Sequence, residues 1–161
     1  MSISLDGANG ITYPAGVNPQ AAPSKVLQVV QASLPPTSVT TSSTSFVTST
    51  LAASITPLFS TSKILVIVAG GGVYTGTNNQ SAYLTIYRGS TNLGDANYGL
   101  GRIYAYASSV ATQISMNWLD SPATTSSTTY TAYFRAGGSY TVDFSNSDRG
   151  TCTITLMEIA A

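Results

Sequence analysis

At 161 residues the chain has the length of one domain, enough to bury a core, with room for a short additional arm but not for two independent domains. Charged residues make up only 7% of it, six basic against six acidic, and the cations Lys25, Lys63, Arg88, Arg102, Arg135 and Arg149 fall singly, so there is no clustered footprint for nucleic-acid phosphate. Histidine is absent and cysteine occurs once, which removes the usual general base, the Ser-His and Cys-His nucleophile pairs, the commonest zinc ligand and any intrachain disulfide.

Met1 to Ser24 reads MSISLDGANGITYPAGVNPQAAPS, and its glycines and prolines recur too closely for a helix or a long strand. A bare solvated terminus is the default for such a stretch. Yet Ile3, Leu5, Ile11, Tyr13 and Val17 are apolar side chains that a solvated tail does not need. They predict an anchoring arm over 1–24 that docks on a partner or a neighbouring subunit, followed by one β-sandwich domain over 25–161.

Val26, Val29 and Val30 in Lys25 to Ala32 favour a strand through β-branching, ended by Pro35 and Pro36. Thr37 to Ser45 reads as an edge strand rather than a flexible linker. A strand carrying Phe46, Leu51, Ala53 and Ile55 should hold a bulge, because the apolar phase shifts once between Phe46 and Leu51. Lys63 to Val68, KILVIV, is apolar on both faces, which predicts a central strand covered on both sides. Gly70-Gly71-Gly72 then allows a bend or a close backbone approach.

Ala82 to Arg88 alternates, with Leu84 and Ile86 on one face and Tyr83, Thr85 and Tyr87 on the other, and turns at Gly89-Ser90. Asn92 to Arg102, with three glycines, reads as a loop, and Ile103 to Val110 as the next strand. Period-two runs at Ile114, Met116, Trp118 and at Tyr130, Ala132, Phe134 flank the turn Asp120-Ser121-Pro122 and mark two half-buried strands. Tyr140 to Phe144 and Thr151 to Ile159 complete eight or nine short strands without an amphipathic helix. The fold class is therefore all-β, an antiparallel β-sandwich, most simply jelly-roll-like, with an extended N-terminal arm.

The start lacks a charged n-region followed by an apolar h-region, and the longest apolar run, Ile64 to Gly72, is too short to span a bilayer. Synthesis in a cytoplasm and no membrane partner are expected. Cys152 alternates with Ile154 and Leu156, as a small core residue would.

The carboxylates Asp6, Asp95, Asp120, Asp143, Asp148 and Glu158 admit a glycosidase pair arithmetically. Asp120 before Ser-Pro and Asp148 in Asn-Ser-Asp-Arg-Gly instead read as turn residues accepting backbone N–H groups. Asp143 and Glu158 project from strands, where a solvated or Arg-paired role is the default. The glycines after the KILVIV strand match no nucleotide-binding pattern. No catalytic residue, metal site or cofactor is expected.

Tyrosine is the stronger signal, with Tyr74, Tyr83, Tyr87, Tyr98, Tyr104 and Tyr106 in the middle third. An apolar body with a polar tip suits a subunit interface, the outer face of a sheet, or a glycan contact. Tyr83, Tyr87, Tyr98, Tyr104 and Tyr106 are the candidates for an interface or glycan-facing surface.

Several pieces in order resemble β-sandwich domains of bacteriophage virion proteins, often called tail-fibre or fibre-like: Gly10-Ile11-Thr12-Tyr13-Pro14, KVLQVVQ at Lys25 to Gln31, Thr44-Ser45-Phe46-Val47, Ile55-Thr56-Pro57, SKILV at Ser62 to Val66, Arg88-Gly89-Ser90-Thr91, LDSP at Leu119 to Pro122 with Thr129-Tyr130, and TITLMEI at Thr153 to Ile159. The resemblance implies a non-enzymatic homotrimer on the virion exterior, assembled in the host bacterial cytoplasm. No shaft, heptad segment or collagen-like repeat precedes the sandwich, which departs from long fibres. The expectation is a capsid decoration (cement) protein bound through its arm to the major capsid protein or another virion protein. The alternative is a short tail-fibre or receptor-binding protein that recognises host surface glycan.

Overall fold

The computed structural model describes residues 4–6, 10–12, 26–76, 78–107, 110–145 and 148–161, the first two stretches as backbone only. Every regular element in them is a strand. In chain order these are β1 (Ser4–Asp6), β2 (Gly10–Thr12), β3 (Val26–Leu34), β4 (Val39–Thr41), β5 (Val47–Ile55), β6 (Lys63–Thr75), β7 (Gln80–Arg88), β8 (Thr91–Asn92), β9 (Gly101–Ala105), β10 (Val110–Asp120), β11 (Thr128–Ala136), β12 (Val142–Phe144) and β13 (Cys152–Ile159). β1 and β2 pair antiparallel, with Leu5 opposite Ile11. Ile3, Tyr13 and Val17 of the expected arm lie outside the described residues, as do the side chains of Leu5 and Ile11.

The other strands build two antiparallel sheets. Sheet one is centred on β6, which pairs with β10 along one edge. Along its other edge β6 pairs first with β13 and then with β12, which carry β3 and β4 outside them. Sheet two runs β5-β11-β7, with β8 and β9 sharing the far edge of β7. The chain changes sheet between β4 and β5, β5 and β6, β6 and β7, β9 and β10, β10 and β11, and β11 and β12. The sandwich is thus stitched together along its length.

Alternation fixes which side chains fill the space between the sheets. Ile64, Val66, Val68, Ile114, Met116, Ile154 and Leu156 of sheet one meet Leu51, Ala53, Ile55, Leu84, Ile86, Tyr130, Ala132 and Phe134 of sheet two in one buried cluster. Phe134 and Phe144 pack at 5.4 Å between ring centroids. Cys152 is fully buried in the same cluster, and burial pushes its thiol up to about 11.

Two irregularities follow from the sequence. Thr50 takes a positive φ of 69° and the β5–β11 register shifts between Thr131 and Tyr133, which is the bulge that the apolar phase shift called for. Gly70 has φ +88°, and a Cβ there would stand 2.4 Å from the carbonyl oxygen of Thr151. The glycine lets β6 break its register with β10 and pass from β13 to β12.

Three expectations need correction. Ile103 to Val110 is not one strand: β9 ends at Ala105 in sheet two and β10 begins at Val110 in sheet one. β10 and β11, read as flanking a turn, do not pair with each other, because 121–127 carries the chain between sheets. The KILVIV strand is fully covered on one side only: Ile64, Val66 and Val68 are completely buried, whereas Leu65 and Ile67 on the outer side are half-buried.

Candidate functional site

The candidate tyrosines do converge, on the outer face of sheet two. Strand register puts Tyr83 of β7 opposite Arg102 of β9 on one side and Arg135 of β11 on the other. The Arg135 guanidinium carbon lies 4.2 Å from the Tyr83 ring centroid and 5.5 Å from that of Phe46; that of Arg102 lies 5.7 Å from Tyr83 and 4.7 Å from Tyr104. Tyr87 stacks on Tyr133 at 4.0 Å with 24° between ring planes, and Phe46 meets Tyr87 edge-on at 6.4 Å. Burial and the neighbouring Tyr133 both push the Tyr87 hydroxyl above its ordinary pKa, so it stays protonated.

A loop from Asn92 to Leu100 folds over this face because its short polar side chains close local hydrogen bonds. The Asp95 carboxylate accepts N–H groups of Asn97 at 2.8 Å and Tyr98 at 2.7 Å, and these hold it below the usual carboxylate range. Asn92 accepts from the Thr85 hydroxyl at 2.6 Å and from the Gly94 amide at 3.0 Å. Gly99, at φ +66°, lets the backbone approach so closely that a Cβ would lie 2.3 Å from the Leu84 carbonyl oxygen. Tyr98 is thereby set against Tyr83, with ring centroids 5.7 Å apart.

Arg135 ties the arrangement together. Its Nε donates to the Asn97 carbonyl at 3.0 Å, Nη2 donates to the same oxygen, and Nη1 donates to the carbonyls of Thr44 at 3.1 Å and Ala136 at 3.0 Å. Arg102 similarly donates to the Ser81 hydroxyl from Nε and Nη2. A cleft of about 390 Å³ opens between Thr44, Ser45, Phe46, Tyr87, Ala96, Asn97 and Arg135. It offers aromatic rings beside amide and hydroxyl groups, the chemistry of a sugar-sized ligand, but every guanidinium nitrogen of Arg135 already donates within the chain.

The five expected tyrosines therefore differ in availability. Tyr83 is buried and Tyr87 half-buried by their own neighbours, and Tyr104 donates its hydroxyl to Asn79 at 2.9 Å. Only Tyr98 and Tyr106, 63% and 85% exposed, present broad free surface.

No family model and no curated protein matches this chain.

Two carboxylates do not sit as the sequence implied. Asp120 is not a turn acceptor: it is buried at the end of β10, where Arg88 Nη1 donates to its oxygens at 3.0 and 2.9 Å and the Tyr130 hydroxyl donates at 2.7 Å. Burial and that bond push the Tyr130 hydroxyl far above its ordinary pKa. Glu158 is neither solvated nor Arg-paired: it is fully buried, accepting from Gln28 Nε2 at 2.6 Å and from the amides of Leu58 at 2.8 Å and Phe59 at 3.3 Å. Asp143 accepts from the Ser38 hydroxyl at 2.5 Å, and Asp148, exposed, faces Arg149 at 3.6 Å. Among the described residues no three His, Cys, Asp or Glu side chains gather as a metal site would require.

Sequence reasoning missed the apolar surface of sheet one, formed by Val29, Leu65, Ile67, Met157 and Leu119. The signal was present in KILVIV, whose second apolar face implied a cover from somewhere.

Proposed function

We propose that this chain is a non-enzymatic structural protein of a phage virion, a capsid decoration (cement) protein that trimerises on the shell exterior. The observation that carries the reading is the use of its charged side chains as internal ties. Arg135 fastens a loop to sheet two, Arg88 and Asp120 join β7 to β10, and Glu158 holds Leu58 and Phe59 against β13. A catalytic site needs such groups turned toward a substrate, whereas a particle component needs them locking a shape. The repeated change of sheet along the chain supports a jelly-roll wrapping, and the virion resemblance of the motifs supplies the setting.

In this reading segment 1–24 binds the major capsid protein or another virion protein through Ile3, Leu5, Ile11, Tyr13 and Val17, at about 25 cal/mol per Å² of apolar area before association costs. The test is deletion of Met1 to Ser24, which leaves every described core residue in place. The truncated protein should stay folded by circular dichroism and no longer join decoration-free capsids; normal decoration by it would sink the reading.

One observation favours a second reading, a short tail-fibre or receptor-binding protein. The Phe46–Tyr87 cleft, with exposed Tyr98 near it, could seat a host glycan ring. Asn97→Ala and Tyr87→Ala should then weaken binding to host cells without unfolding the protein, an effect that a decoration protein would not show.

A further inference from the structure

Arg88 ends β7 on the inward face of sheet two, in phase with Leu84 and Ile86. Its Nη1 donates to both oxygens of Asp120, at 3.0 and 2.9 Å, and Asp120 in turn accepts from the Tyr130 hydroxyl at 2.7 Å. The guanidinium is thereby fixed from one side. Its other edge, the parallel N–H groups of Nε and Nη2, donates to no described residue, and the side chain is 31% exposed. The other two arginines of sheet two use that same edge within the chain: Arg102 grips the Ser81 hydroxyl with it, and Arg135 the Asn97 carbonyl.

Arg88 lines a cleft of about 410 Å³ together with Gly89, Pro122, Thr124, Ser127 and Thr128. The cleft lies between the Gly89-Ser90 turn and the 121–127 connection, whereas Tyr87, which lines the other cleft, projects from the outer face of β7. The Ser127 hydroxyl is exposed and bonds to no described residue. The Thr124 hydroxyl accepts from the Ser126 amide at 3.0 Å and keeps its own proton to donate. No aromatic ring lines this cleft, and Pro122 is its one apolar side chain. Between Pro122 and Thr124, Ala123 holds φ at +52°, a left-handed conformation that strains a residue with a Cβ. Outliers of this kind concentrate where a loop is shaped for a ligand.

We propose that this cleft binds a neutral sugar residue, one oxygen of which accepts from Nε and Nη2 of Arg88 while its neighbouring hydroxyls bond to Ser127 and Thr124. Asp120 already balances the Arg88 charge and no other charged side chain lines the cleft, so an anionic ligand would set a second negative charge against one cation. Arg102 and Arg135 show that a neutral hydroxyl or carbonyl oxygen satisfies this edge. Hydroxyl groups both donate and accept, which matches a ligand bearing hydroxyls on successive carbons; an apolar ligand would leave them unpaired. A guanidinium already fixed by Asp120 loses little freedom when it grips an oxygen. The site is separate from the Phe46–Tyr87 cleft and does not depend on where the chain sits on a particle.

The experiment is nuclear magnetic resonance on the full isotope-labelled chain, titrated with glucose, N-acetylglucosamine and glucuronate. Each is taken to about 50 mM, above the dissociation constant on the order of 1–10 mM that a few hydrogen bonds to one ring give. The neutral sugars should shift the Arg88 Nε–H signal and the amides of Gly89 and Thr128 saturably. Ser127→Ala removes an exposed hydroxyl without a described partner, so the melting curve should not change, while the dissociation constant should rise about fivefold for one lost hydrogen bond. Arg88→Lys keeps a charge beside Asp120 but loses the parallel N–H pair, and should raise it about tenfold or more. Where Arg88→Lys fails to fold, Ser127→Ala alone decides. The assignment is overturned by no saturable shift with either neutral sugar, by shifts from glucuronate alone, by shifts confined to Tyr87 and Asn97, or by an affinity that Ser127→Ala leaves unchanged.

Discussion

Glu158 shows how one side chain can hold several parts of the fold. Burial raises its pKa, but the bonds from Gln28, Leu58 and Phe59 together outweigh that and hold the carboxyl below the usual glutamate range. A folded pKa below the unfolded one means stability present above the unfolded value, about 4.3, and lost as pH falls through the folded value. Denaturant titrations should therefore show stability declining below about pH 4.3, and Glu158→Gln should flatten that limb. At neutral pH the same variant should cost about 1–3 kcal/mol, because charge-assisted bonds to buried amides are lost. Arg88→Met should cost a comparable ~2 kcal/mol by leaving the Asp120 carboxylate buried with Tyr130 as its remaining donor. Tyr130→Phe, which leaves the ion pair intact, should cost about 1 kcal/mol.

At the scale of elements, β6 decides the shape of sheet one through Gly70. Gly70→Ala places a Cβ on the Thr151 carbonyl at a positive φ, so it should destabilise by more than about 1 kcal/mol and loosen the β6–β13 pairing, read as faster amide exchange at Gly71. Arg135→Lys should release the Asn92–Leu100 loop, since an ammonium cannot reach the Asn97 and Thr44 carbonyls in a planar fork; limited proteolysis near Tyr98 should accelerate. Strand positions and their inward faces were legible because period two is a local property: Leu84 and Ile86, or Tyr130 and Phe134, need only their own neighbours to be read. Pairing was not, because β10 and β11 alternate identically whether they pair with each other or cross between sheets. Asp120 and Glu158 were misread for a related reason. Their partners Arg88 and Gln28 lie 32 and 130 residues away, beyond any local pattern. The tyrosine cluster was legible as a face, but the loop and arginines that occupy it were not.

Over the whole molecule the two outer faces differ in kind. Sheet two is largely covered by its own loop, arginines and tyrosines, around one cleft and the exposed Tyr98 and Tyr106, whereas sheet one presents partly exposed apolar side chains and a long edge at β10. In the proposed reading the molecule would be a component of an assembly, with segment 1–24 joined to the shell. The most direct test is to label intact phage particles with gold-conjugated antibody against this chain and image them by electron microscopy. Label distributed over the head surface is the predicted result; label confined to the tail, or none on the particle, would contradict the account.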